Sequence, residues 1–105
     1  MPDNVQIAKY DYYLFSSRDA SANDSVIKLY TANGYTGAIF FDDSGGPLKP
    51  ATKSFSGTYS LYYRRSSLPD VIDMLRHEGP VYVYYDGATN SMLTTAQEPV
   101  GEAES

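Results

Sequence analysis

Between Val26 and Phe41 the chain reads VIKLYTA, then Asn-Gly, then YTGAIFF. Two runs rich in β-branched and aromatic residues, separated by two residues that tolerate positive φ, are the strongest short-range signal for an antiparallel hairpin. This feature constrains the fold most, because a hairpin sets register and register decides which side chains reach the core. With Asn33 and Gly34 as the loop, Ala32 faces Tyr35; Leu29 then faces Ala38 and Ile27 faces Phe40, and these last two pairs are expected to form the core side. Val26 then faces Phe41 and Lys28 faces Ile39 on the other side, while Tyr30 covers the bare backbone of Gly37.

The same strand chemistry recurs along the chain, which holds 11 tyrosines and 4 phenylalanines, mostly in short runs with Val, Ile and Thr. One long strand is expected from Val5 to Ser17, followed by a polar loop. Another is expected from Phe55 to Arg65, with Phe55, Tyr59, Leu61 and Tyr63 on one face and Ser60, Tyr62 and Arg64 on the other. PVYVYYD from Pro80 supplies a fifth strand and SMLTT from Ser91 a sixth. Between the strand that ends at Arg65 and the one from Pro80, Leu68, Val71, Ile72 and Leu75 make an i, i+3, i+4, i+7 stripe. Ser67 and Asp70 are spaced as in a capping box, Pro69 suits a first turn, and Gly79-Pro80 ends the helix. The expectation is an α+β fold of order ββββαββ, a mainly antiparallel sheet of about six strands with one helix packed on one face.

A chain of 105 residues accommodates one core. Residues 1–97 read as a single domain, and residues 98–105 as a flexible acidic tail. There is no cysteine, which removes disulfide and thiolate chemistry and fits a reducing compartment. With no secretory signal pattern and no apolar run long enough to span a bilayer, the reading is a cytoplasmic protein without a membrane partner. Thirteen acidic against eight basic residues give a net charge of −5, which opposes binding to phosphate backbones.

Residues 43–48, DSGGPL, resemble the run around the nucleophilic serine of chymotrypsin-like proteases. That chemistry needs a histidine to take the serine proton, an aspartate to orient it and amides to receive the oxyanion. Here the resemblance stops at Leu48. Asp42 stands where the family has glycine, and the only histidine, His77, follows Ser44 instead of preceding it. The run is read as a turn that ends a strand, and no catalytic residue is assigned. His77, in the last turn of the helix and four residues after Asp73, has a sufficient structural role there. No metal-ligand spacing and no phosphate-cradling glycine loop occurs, so no metal or cofactor is expected.

The tyrosines remain. Alternation places Tyr62 and Arg64 on the wet side of one strand, and Tyr82 and Tyr84 opposite Val81 and Val83 on another. Tyr62, Arg64, Tyr82 and Tyr84 are therefore read as one interaction surface. Its expected partner is a protein or a second copy of the chain in a homodimer, because Tyr and Arg dominate interface hot spots. The alternative partner is single-stranded nucleic acid stacked on the rings, and a small hydrolase is the third reading.

Overall fold

The computed structural model describes residues 2–16, 25–42, 46–87 and 89–95. The fold is α+β, with eight strands and one α-helix among the described residues and mostly antiparallel pairing. In chain order the strands are β1 (Asp3–Ile7), β2 (Lys9–Leu14), β3 (Ser25–Thr31), β4 (Gly34–Asp42), β5 (Thr52–Lys53), β6 (Tyr59–Arg64), β7 (Val81–Tyr85) and β8 (Ser91–Thr95). A 3-10 turn, Arg65–Ser67, leads into helix α1 (Leu68–His77). The strands form two sheets, of order β1-β7-β8 and β2-β3-β4-β6-β5.

The long first strand divides between these sheets. Its apolar positions explain why: Val5 and Ile7 alternate in one phase, while Tyr10, Tyr12 and Leu14 alternate in the other. A strand that stayed straight would turn one of these sets away from the core. The chain bends at Ala8, whose N–H donates to the Tyr30 carbonyl at 2.7 Å. β1 pairs with β7, and β2 pairs with β3.

The β3-β4 hairpin forms, but not in the register expected from Asn33-Gly34. Thr31 faces Gly34, so Ala32 and Asn33 make the loop and Gly34 follows it with φ +126°. The Asn33 N–H donates to Thr31 Oγ1 at 3.0 Å. The ladder then slips: Tyr30 faces Tyr35 but Leu29 faces Gly37, leaving Thr36 as the extra residue of a bulge. Ile27 therefore faces Ile39, Val26 faces Phe40 and Lys28 faces Ala38. Ile27 and Leu29 are buried as expected, but their core companions on β4 are Ile39 and Phe41. Phe40 is half-buried on the opposite face.

β4 and β6 are parallel, which the sequence reading did not anticipate. The 16 residues between Asp42 and Tyr59 are long enough for the return that parallel neighbours require, on the order of a dozen residues. The approach is close at Gly37. A Cβ there would lie 3.0 Å from the Tyr59 nitrogen and closer still to its carbonyl oxygen. The strand expected from Phe55 begins only at Tyr59. Phe55 is fully exposed in the connection from β5, where Ser54 Oγ accepts from the Thr58 N–H at 3.1 Å.

Helix α1 matches the expected stripe. Leu68 and Val71 are buried, and Ile72, Met74 and Leu75 pack against the core. Its start differs from a capping box, because Ser67 is itself helical and makes no side-chain cap bond. The 3-10 turn supplies the entry instead. One hydrophobic cluster unites Ile27, Leu29, Ile39, Phe41, Tyr59 and Leu61 of the larger sheet with Val81, Val83 and Leu93 of the smaller and with the helix. Each sheet thus has an inner face turned to this cluster and an outer face turned away.

Polar ties join the sheets. The Asp3 carboxylate of β1 accepts from Lys53 Nζ of β5 and from the Tyr59 hydroxyl of β6, both at 2.7 Å. The Tyr63 hydroxyl of β6 accepts the Leu93 N–H of β8 at 3.1 Å. Among the described residues, no buried side-chain nitrogen or oxygen lacks a partner. No helix among them is long and apolar enough to cross a membrane. Positions 96–105, including the expected tail, lie outside the described residues.

Candidate interaction surface

The outer face of the five-stranded sheet carries one cross-strand row of Tyr13, Val26, Phe40 and Tyr62, contributed by β2, β3, β4 and β6. The bulge at Thr36 puts Phe40 there by reversing the phase of β4, so that Phe41 turns inward. The Phe40 and Tyr62 rings stack with centroids 5.4 Å apart and planes 24° apart. A lysine ammonium stands over each end of the row: Lys28 Nζ is 5.1 Å from the Tyr13 centroid and Lys49 Nζ is 5.9 Å from that of Tyr62. At exposed sites each such contact contributes about 0.5–1 kcal/mol, enough to hold the ammonium over the ring without withdrawing it from solvent.

Adjacent rows are more polar. Asp11, Lys28, Ala38, Ser60 and Thr52 form the next, and Tyr30 and Tyr35 lie beyond, with ring centroids 5.9 Å apart. The Tyr30 hydroxyl donates to Asp11 Oδ2 at 2.8 Å. That bond, aided by desolvation, pushes the phenol up to about 12, because ionising it would set two negative charges together.

The four residues expected to form one surface do not share a sheet. Tyr62 and Arg64 lie on the outer face just described, with Arg64 opposite Asp42. Tyr82 and Tyr84 lie on the outer face of the smaller sheet, in rows with Gln6 and Thr94 and with Asn4 and Met92. Since both sheets turn their inner faces to one cluster, these outer faces diverge, and the single surface is corrected to two. Arg64 also has a local task, because its Nη1 donates to the Gly46 carbonyl and holds the loop that brings Lys49 over Tyr62. Tyr13, Lys28, Phe40 and Lys49 were missed. Alternation from a correctly placed bulge would have found Phe40, whereas Lys49 comes from a loop and carries no periodic signal.

Other polar groups among the described residues make contacts away from this face. Hydrogen bonds from Lys53 and then Tyr59 hold the Asp3 carboxyl below the usual carboxylate range. The same Asp3 bond raises Lys53, while burial, then the Asp3 bond, raises Tyr59. Burial also raises Tyr63. His77 Nε2 lies 3.8 Å from Asp73 Oδ1, both exposed, as the helix spacing implied. An open depression beside the helix is lined by Asp70, Asp73, Met74, Glu78 and Thr95, yet no three His, Cys, Asp or Glu among the described residues converge as metal ligands. Asp43 and Ser44 lie outside the described residues. Comparisons with family models, curated proteins and solved structures find no match for the chain.

Proposed function

We propose that the chain is a non-enzymatic interaction module of the cytoplasm, which binds a protein through the outer face of its five-stranded sheet. The observation that supports this reading is the row Tyr13–Val26–Phe40–Tyr62, three aromatic rings and a β-branched side chain side by side, with Lys28 and Lys49 at its ends. Rigid rings present large contact area at low entropic cost, and they concentrate binding energy where a partner excludes water. The complementary partner surface is apolar at its centre and acidic at its rim. Tyr82, Tyr84 and Met92 provide a second, smaller face for the same kind of contact.

Single-stranded nucleic acid is the reading from another class, favoured by the lysine placed over a ring at each end of the row. The net charge of −5 weighs against it. One pair of measurements separates the two. Phe40→Thr with Tyr62→Ser should release protein partners that wild type retains at both low and moderate salt, while the far-ultraviolet spectrum is unchanged. Titration of a short mixed oligonucleotide should leave tyrosine fluorescence unchanged. Quenching by the oligonucleotide that weakens steeply with salt would replace the protein reading with the nucleic-acid one.

A further inference from the structure

Among the described residues, β2 is the outermost strand of its sheet and pairs with β3 alone. It also holds three consecutive exposed large side chains, Tyr12, Tyr13 and Leu14, at 42%, 36% and 59% of full exposure. An edge of this kind presents unpaired N–H and C=O groups and invites another strand, and proteins ordinarily blunt it with lysine, proline or brevity. The opposite edge of the same sheet is blunted in that way: β5 has two residues, one of them Lys53. β2 carries its own lysine, Lys9, only at its first position, and beyond Asp11 the run Tyr12 to Leu14 holds no charge.

We propose that β2 is a self-association strand, on which a second copy of the chain adds antiparallel so that two five-stranded sheets continue into one. The proposal rests on the reading of the chain as a protein-contact module and names one partner for it. Side-chain alternation restricts two-fold pairings to those that keep outer residues opposite outer residues. An axis through Asp11 would set two carboxylates face to face. An axis through Tyr10 would bring the second copy toward Leu75, Gly79 and Pro80, which together with Ile7 to Tyr10 line a cavity of about 150 Å³ where the helix end meets the bend. An axis through Tyr12 avoids both problems. Tyr12 then faces Tyr12 of the second copy, Tyr10 faces its Leu14 on the inner side, and Asp11 faces its Tyr13 on the outer side. Because Lys28 already leans over its own Tyr13, each Lys28 meets the Asp11 carboxylate of the second copy. Two reciprocal ion pairs therefore flank the axis, and the three exposed side chains are covered.

The absence of cysteine from the chain makes a register-specific test simple. Under mild oxidation the Tyr12→Cys protein should form a covalent dimer, because a residue on the axis meets its own copy at disulfide distance. Leu14→Cys, which faces Tyr10, should not. In sedimentation, wild type should dimerise with concentration, and Tyr12→Lys, which sets two ammoniums opposite each other, should raise the dissociation constant at least about tenfold without changing the monomer fold. Phe40→Thr with Tyr62→Ser should leave this dimer intact, so failure of the outer-face reading and failure of the edge proposal give different results. Three outcomes would each overturn the proposal: a wild type that stays monomeric, a dimer insensitive to Tyr12→Lys, or Leu14→Cys cross-linking as fast as Tyr12→Cys.

Discussion

Gly37 and Gly34 stand three residues apart and are required for opposite reasons. At Gly34 there is open space around an added Cβ, but φ is +126°, a conformation that side chains disfavour. At Gly37 the backbone is ordinary and the space is absent, because the parallel neighbour runs too close at Tyr59. Gly34→Ala should therefore cost about 1 kcal/mol through local strain. Gly37→Ala should cost about 1–3 kcal/mol, since β4 and β6 must separate to admit the methyl group. Chemical denaturation of the two variants checks the order, and equal midpoints would contradict the close approach of the strands. The Asn-Gly pair announced a turn but not which residues would occupy it. Thr31 accepts the Asn33 N–H, which favours a loop at Ala32-Asn33 and moves glycine one place past it.

Element by element, alternation was legible wherever a strand stayed regular. Tyr59, Leu61, Val81 and Val83 all point inward as their spacing required, and the helix stripe from Leu68 to Leu75 is the one that packs. It failed at two irregularities. The phase change between Ile7 and Tyr10 was present in the sequence and marks the bend at Ala8. The bulge at Thr36 has no such mark, because YTGAIFF is apolar in both phases beyond the glycine, and only the neighbouring strand selects Ile39 and Phe41 for the core. β8 depends on another element as well. Among the described residues it pairs with β7 alone, and the Leu93 N–H is met by the Tyr63 hydroxyl. Tyr63→Phe leaves that amide without its acceptor and should destabilise the domain by about 1–3 kcal/mol. Hydrogen exchange at Leu93 should accelerate more than at Val83, and an unchanged Leu93 rate would show that the hydroxyl does not hold the strand.

At the scale of the whole molecule, the Asp3–Lys53–Tyr59 group ties the first strand of the smaller sheet to the far edge of the larger. The Asp3 pKa is lowered in the fold, so its contribution is present above the unfolded value of about 3.9 and is lost as pH falls through the folded one. Lys53 and Tyr59 are raised, so theirs are present below about 10 and are lost as pH rises through the folded values. Asp3→Asn should therefore melt below wild type between about pH 5 and pH 9. The two melting curves should converge as pH drops below about 4. A gap that persists in acid would mean that the carboxylate charge is not what joins the sheets.

Composition and periodicity were sufficient for the class of the fold, the helix and its buried stripe, and the inward residues of the regular strands, because each follows from local geometry repeating every two residues or every 3.6. Pairing partners are not local. That β4 lies beside β6, that the first strand is shared between two sheets, and that Tyr62 belongs with Phe40 and Tyr13 rather than with Tyr82 and Tyr84, are consequences of how distant segments bury one common core. A tyrosine's position in its own strand says which way it points relative to its neighbours. Only the packing of the sheets decides what it points away from, and so which surface it helps to make.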